Sequence, residues 1–97
     1  MTAGRVPALL VAIDTEGDNQ WDAEARRHQT FENIYALERL HDFFARHDVH
    51  PTYVVTYPVA TDPRSADVLA RLLARGDCEI GAHHHAWETP PCEPADI

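Results

Sequence analysis

"CEIGAHHHAWETPP", residues 78–91, is the stretch on which the reading of this chain turns. Cys78 to Ala82 reads as a short strand, and three imidazoles begin where it ends. Side chains alternate faces along an extended backbone, so His83 and His85 point to one side and His84 to the other. Two neutral nitrogens on one side of a strand end are half of a metal site. One carboxylate added to them gives a two-histidine, one-carboxylate set with open positions for water and substrate, which suits zinc or iron. A purification tag would also leave three histidines in a row. This run is internal and continues into Ala86, Trp87, Pro90 and Pro91, which argues against a tag.

The carboxylate is to be sought upstream. "ALLVAI", Ala8 to Ile13, is continuously apolar and reads as a central strand of a parallel sheet, buried on both faces. It runs into Asp14 and Glu16, two residues apart, so both carboxylates can face one side if the chain stays extended. Such a pair suits divided labour, one acid holding a cation and the other accepting a proton from water. Strand ends are also commonly acidic for no catalytic reason, and from spacing alone both readings stay open.

Between these two segments the periodicity changes. Ile34, Leu37, Leu40 and Phe44 recur at spacings of three and four, predicting an amphipathic helix from about Thr30 to near His47 after a polar loop through Arg27. Thr52 to Thr56 within "HPTYVVTYP" is β-branched and aromatic and predicts a second strand. Asp62-Pro63 is a helix start, Ala66, Leu69, Leu72 and Leu73 mark one helical face, and Gly76 is a stop. The order β-α-β-α-β predicts an α/β fold with a parallel sheet. Both chemically unusual segments then fall at the carboxyl ends of strands, where α/β sheets and (β/α) barrels bind ligands.

Composition limits the alternatives. The chain has 97 residues, 44% hydrophobic and 25% charged, enough for one small domain or part of one. Its net charge is −8, from 16 acidic residues against 8 arginines and no lysine, which disfavours general binding to nucleic acid or anionic membrane. The early apolar run is too short for a secretory core or a membrane span, so the expected location is cytoplasmic. Cys78 and Cys92 form no Cys-x-x-Cys pattern and read as ordinary thiols. No Gly-rich phosphate loop or nucleophile elbow is present.

The remaining histidines, His28, His41, His47 and His50, carry no assigned role; His41, beside the apolar stripe of the first helix, reads as partly buried and hydrogen-bonded. Trp21 reads as core or loop packing. Trp87 follows the histidines after Ala86 and reads as the wall of a pocket for a sugar or other flat apolar face.

With these residues in view, the chain resembles the polysaccharide deacetylase family, carbohydrate esterase family 4, along nearly all of its length. "AIDTEGD" is similar to that family's first motif, in an acid-x-acid form. "HPTYVVTYPVA" resembles the second-strand region of a bacterial subgroup, and "CEIGAHHHAWETPP" its histidine motif. The resemblance implies that Asp14 is the catalytic base, that Glu16 and His83 bind the metal, and that the enzyme is a distorted (β/α) barrel. Much of the family spaces its two histidines by four. Trp87 stands at that place, so the second ligand implied is His85, as in a subgroup with a His-x-His-Pro-Trp run, from which Ala86 departs.

The implied activity is metal-dependent hydrolysis of an N-acetyl group on an amino sugar or polysaccharide. A divalent metal, zinc foremost, activates water, Asp14 serves as base, and Trp87 contacts the carbohydrate. The family's general acid and the residues that tune its base come from later motifs that this sequence does not contain. Residues 1–97 are thus expected to be the N-terminal portion of one catalytic domain, inactive alone. Other readings are an amidohydrolase-type barrel, which expects its His-x-His after the first strand; a two-histidine, one-carboxylate iron oxygenase, which expects a β-rich fold; and an inactive α/β fragment or interaction module with a surface histidine cluster.

Overall fold

The computed structural model describes residues 4–93. Three parallel strands, β1 (Ala12–Thr15), β2 (Thr52–Val55) and β3 (Glu79–Ala82), form one sheet in the order β1-β2-β3. Between β1 and β2 lie helices α1 (Ala23–Arg27), α2 (Glu32–Tyr35) and α3 (Leu37–Arg46); between β2 and β3 lie α4 (Tyr57–Thr61) and α5 (Pro63–Ala74). The expected α/β class and parallel sheet are present. Among the described residues no helix is long and apolar enough to cross a membrane.

The register explains which side of the sheet is core. Ile13, Tyr53 and Ile80 are aligned across the three strands, as are Thr15, Val55 and Ala82. Tyr53 and Val55 from this side join Ile34, Leu37, Val59, Val68, Leu69 and Leu72 in the buried cluster, with Ile13 packed against it. Each such buried aliphatic side chain contributes about 1.5–3 kcal/mol. The opposite side carries Ala12, Thr52 and Glu79 in one row and Asp14, Val54 and Gly81 in the next, and none of these is fully buried. Helices therefore cover one face only, and the other is lined mainly by small side chains.

This corrects the reading of Ala8 to Ile13 as a central strand buried on both faces. β1 begins only at Ala12 and lies at an edge of the sheet, while Leu9 and Leu10 are 82% and 91% exposed. β1 extends as far as β2 offers partners, from Thr52 to Val55, and a run of apolar residues cannot lengthen it beyond them. Two further local differences have clear causes. Asp22, whose carboxylate accepts from the Ala25 amide, starts a short helix, α1, inside the expected loop. The expected helix from about Thr30 to His47 is two helices, because Ala36 leaves helical geometry at ψ 2° between α2 and α3.

In the second crossover α5 starts and stops where expected, but the short helix α4, with Pro58 in its first turn, precedes it and is a further difference from the expected order. The Asp62 carboxylate caps α5 by accepting from the Ser65 amide and hydroxyl at 3.0 and 2.7 Å, and it also accepts from the Tyr35 phenol at 2.8 Å. The Ser65 hydrogen bond is the main reason that this carboxyl is held below its usual range. Gly76 follows α5 at φ +79°, in the left-handed region, and a Cβ there would meet nothing within 4 Å. Gly76→Ala therefore isolates the conformational cost of that φ. It is expected to destabilise the chain by about 1–2 kcal/mol, with an unchanged urea m-value and a lower midpoint.

At the amino end of the strands, His41 of α3 is fully buried and holds two groups together. Its Nδ1 lies 2.6 Å from the Tyr53 hydroxyl and its Nε2 2.7 Å from the Asp77 carboxylate. The network assigns the Nε2–H tautomer: Asp77 accepts from Nε2, leaving Nδ1 to accept from the phenol. Burial, with Cys78 and Asp77 nearby, pushes the Tyr53 phenol up to about 12, so it keeps its proton to donate. His41 was expected to be hydrogen-bonded, and it is; the burial is complete rather than partial.

Candidate metal centre

The parallel register brings the two unusual segments to one end of one face. Asp14 belongs to the face not covered by helices, and Glu16 lies two residues beyond it. The His83 amide donates to the Val55 carbonyl at 2.9 Å, continuing the ladder one step past β3. The residues reach that end from opposite edges of the sheet, with β2 between them.

Glu16, His83 and His85 each offer one ligand atom, and the three atoms lie within 4.8 Å of one another. His85 Nε2 is 3.1 Å from Glu16 Oε1, and His83 Nδ1 is 3.6 Å from Asp14 Oδ1. Asp14 is the outlying member: its side chain is 73% exposed against 23% for Glu16. The sheet thus brings all four expected site residues together, Asp14 at the open margin and Glu16 inside. His84, on the other side of the extended segment, is exposed.

The donor set fits a cation. Glu16 Oε1 and His83 Nδ1 are buried and make no hydrogen bond. The 3.1 Å approach of His85 Nε2 to Glu16 Oε1 satisfies distance but not hydrogen-bond alignment, so it counts as proximity of charge. Buried polar atoms are rarely left unpaired, and two such atoms in one cluster with a nearby imidazole are what a divalent ion would satisfy. The other buried side-chain atoms without partners among the described residues, Thr56 Oγ1, Gln29 Oε1 and Thr89 Oγ1, belong to the β2 tip or to loops after β1 and β3. Unspent hydrogen-bonding capacity is concentrated at this end of the molecule.

The loop after β1 is held by a second acid. Asp18 accepts from the Thr30 hydroxyl at 2.7 Å and from the amides of Glu32 and Asn33 at 2.9 and 3.0 Å, capping α2, whose own N-cap residue, Phe31, offers no side-chain bond. Burial pushes its carboxyl up, but these hydrogen bonds outweigh burial and hold it below the usual range. The Asn33 amide group in turn donates to the Glu16 carbonyl at 2.9 Å, fixing the backbone of the carboxylate ligand. Gly17 between them is closely packed: a Cβ there would come within 2.8 Å of Gln29 Oε1 and 3.1 Å of the Thr30 carbonyl, so a larger residue would displace the Gln29 side chain.

The loop after β3 turns back at once. The Glu88 amide donates to the His85 carbonyl at 3.2 Å, closing a four-residue turn. Ala86 occupies its second position, a place that proline also suits, so the Ala86 departure leaves the turn intact. Trp87 stacks on His85 with ring centroids 4.4 Å apart, and His83 meets His85 edge-on at 4.5 Å.

A cleft of about 720 Å³ opens over these residues and is lined also by Gln20, Trp21, Arg26 and Trp87. Trp87 thus stands where a pocket wall was expected. Trp21 does not pack into the core or a loop: it belongs to the Asn19 to Asp22 turn, is 96% exposed and borders the cleft. Sequence reasoning did not find Arg26, whose guanidinium folds back on the Gln20 carbonyl at 3.0 Å, nor Glu88. The i, i+3 spacing of His85 and Glu88 was the available signal for the latter.

A second group, His41, Asp77 and Cys78, also has its ligand atoms within 4.8 Å, but both nitrogens of His41 are already hydrogen-bonded. It is a structural clamp. Cys78 and Cys92 are free thiols, and burial raises that of Cys78. No family model, curated protein or solved structure matches this chain.

Proposed function

We propose that this chain carries the metal-binding and base-bearing part of a hydrolase that removes N-acetyl groups from an amino sugar or polysaccharide, of the polysaccharide deacetylase type. The observation that carries the reading is the gathering of Glu16, His83 and His85 within 4.8 Å, with Asp14 beside them, at the carboxyl end of a parallel sheet. Glu16, His83 and His85 would hold a divalent cation, zinc being well suited to nitrogen and carboxylate donors. Such a cation supplies Lewis acidity toward an acyl oxygen and makes water more acidic. Asp14, outside the triad and more exposed, would take the proton of the attacking water, a reading that its nearness to His83 supports. Trp87, held against His85, offers a flat apolar surface to a sugar ring.

The sheet itself supports a barrel as the wider context. Helices on one face and small side chains on the other suit strands that curl around an interior, with catalytic groups at their carboxyl ends. In this reading residues 1–97 supply the first strands, and the general acid comes from a part of the domain outside them.

The test uses the protein expressed from its complete reading frame, loaded with zinc and incubated with N-acetylglucosamine oligomers and polymers. Release of acetate together with free amine is the expected result, and no release from any N-acetylated sugar would overturn the proposal. Asp14→Asn is expected to retain zinc while slowing acetate release by about 100-fold or more. Undiminished release from that variant would remove Asp14 as the base.

A further inference from the structure

We propose that Glu88 is a positioning residue for this site: its carboxylate fixes His85 as the Nδ1–H tautomer and so leaves the Nε2 lone pair free for a ligand beside Glu16 and His83. The inference rests on the metal-site reading above and adds to it a residue and a function for the turn that follows the histidines.

His85 has two ring nitrogens with different surroundings. Nδ1 lies 2.8 Å from Glu88 Oε1 in a hydrogen bond, whereas Nε2 lies 3.1 Å from Glu16 Oε1 without one. A carboxylate only accepts, so the proton belongs on Nδ1 and the lone pair on Nε2. That lone pair then lies beside, and off the line to, a carboxylate oxygen that is itself unpartnered. Two acceptors held 3.1 Å apart repel, and a cation between the donor atoms turns the repulsion into coordination.

Glu88 is built for this task rather than for solvent. Its side chain is only 7% exposed, although it belongs to a surface turn. Its second oxygen, Oε2, accepts from Gln29 Nε2 at 3.1 Å, and Gln29 Nε2 also reaches the Arg26 carbonyl at 3.4 Å. The His85 ring is clamped besides by Trp87 stacked on one face and by the turn hydrogen bond from the Glu88 amide. Outer carboxylates that take the second N–H of a ligating histidine fix its tautomer and orientation, and their loss typically lowers metal affinity about 10–100-fold.

Zinc competition titration with a chromogenic chelator, together with long-range ¹H–¹⁵N spectra of the metal-free imidazoles, tests the assignment. Wild type should show His85 as Nδ1–H. Glu88→Ala should lose that tautomer signature and about 10–100-fold in zinc affinity. Glu88→Met, which refills the space without an acceptor, carries the same expectation if the alanine variant does not fold. Glu88→Gln should keep the Nδ1–H signature and most of the affinity, because its amide oxygen still accepts and Gln29 can rotate its unpartnered Oε1 toward the new NH₂. Wild-type affinity and an unchanged tautomer in Glu88→Ala or Glu88→Met would overturn the proposal while leaving the metal site standing. If wild type binds no zinc, the metal-site reading fails, and the metal-free spectra still decide whether Glu88 sets the tautomer.

Discussion

Zinc affinity is expected to fall by at least about 100-fold when either His83 or Glu16 is replaced by alanine, since each removes a direct ligand and even an outer-shell partner is worth 10–100-fold. The three ligand atoms come from two strand tips, and neither tip alone retains more than two of them. His84→Ala is the internal control: His84 is exposed on the other side of the extended segment and should bind zinc as wild type does. A chelator competition assay reads all three variants, and equal zinc retention across them would remove the site. Stability gives a second readout. Zinc at about 100 times its Kd should add about 2.7 kcal/mol to unfolding, an increment that His83→Ala and Glu16→Ala should lose at the same zinc concentration.

The largest effect on folding is expected at His41. Replacing it with alanine opens a cavity beneath α3 and strands the Tyr53 hydroxyl, which is buried with it. Together these should cost about 3 kcal/mol, a large share of the roughly 5–15 kcal/mol that holds a typical domain. Tyr53→Phe, which removes only the hydroxyl, should cost about 1 kcal/mol. Urea denaturation separates the two, and a His41→Ala midpoint equal to that of Tyr53→Phe would show that the imidazole contributes nothing beyond the phenol contact.

The same clamp predicts a pH dependence. The hydrogen bond from His41 is the main cause holding the Asp77 carboxyl below its usual range, against an opposing push from burial. A depressed folded-state pKa means that the unfolded chain binds the proton more readily. The stabilisation is therefore complete above the unfolded value of about 3.9 and is lost as pH falls through the folded value. Asp77→Asn should flatten that part of the acid limb. The contributions of Asp18 and Asp62, whose carboxyls are also held low, should remain.

What the sequence determined was local. The change from continuous apolar or β-branched runs to a 3.6-residue period, the Asp62-Pro63 start and the Gly76 stop follow from backbone preferences and capping groups within a few residues of each other. Alternation along an extended chain likewise put His83 and His85 on one side and His84 on the other. The tertiary structure decided what depends on partners far along the chain. β1 is an edge strand that begins only at Ala12 because β2 is short, so six apolar residues in a row did not make a buried strand. Glu88 meets Gln29 across 59 positions, and His41 meets Asp77 across 36. Trp21, in a turn after β1, is exposed because no distant element among the described residues packs over it. The meeting of Glu16 with the histidines is of the same kind: each tip's chemistry is written in its own few residues, but their separation is set by the pairing of both edge strands with β2.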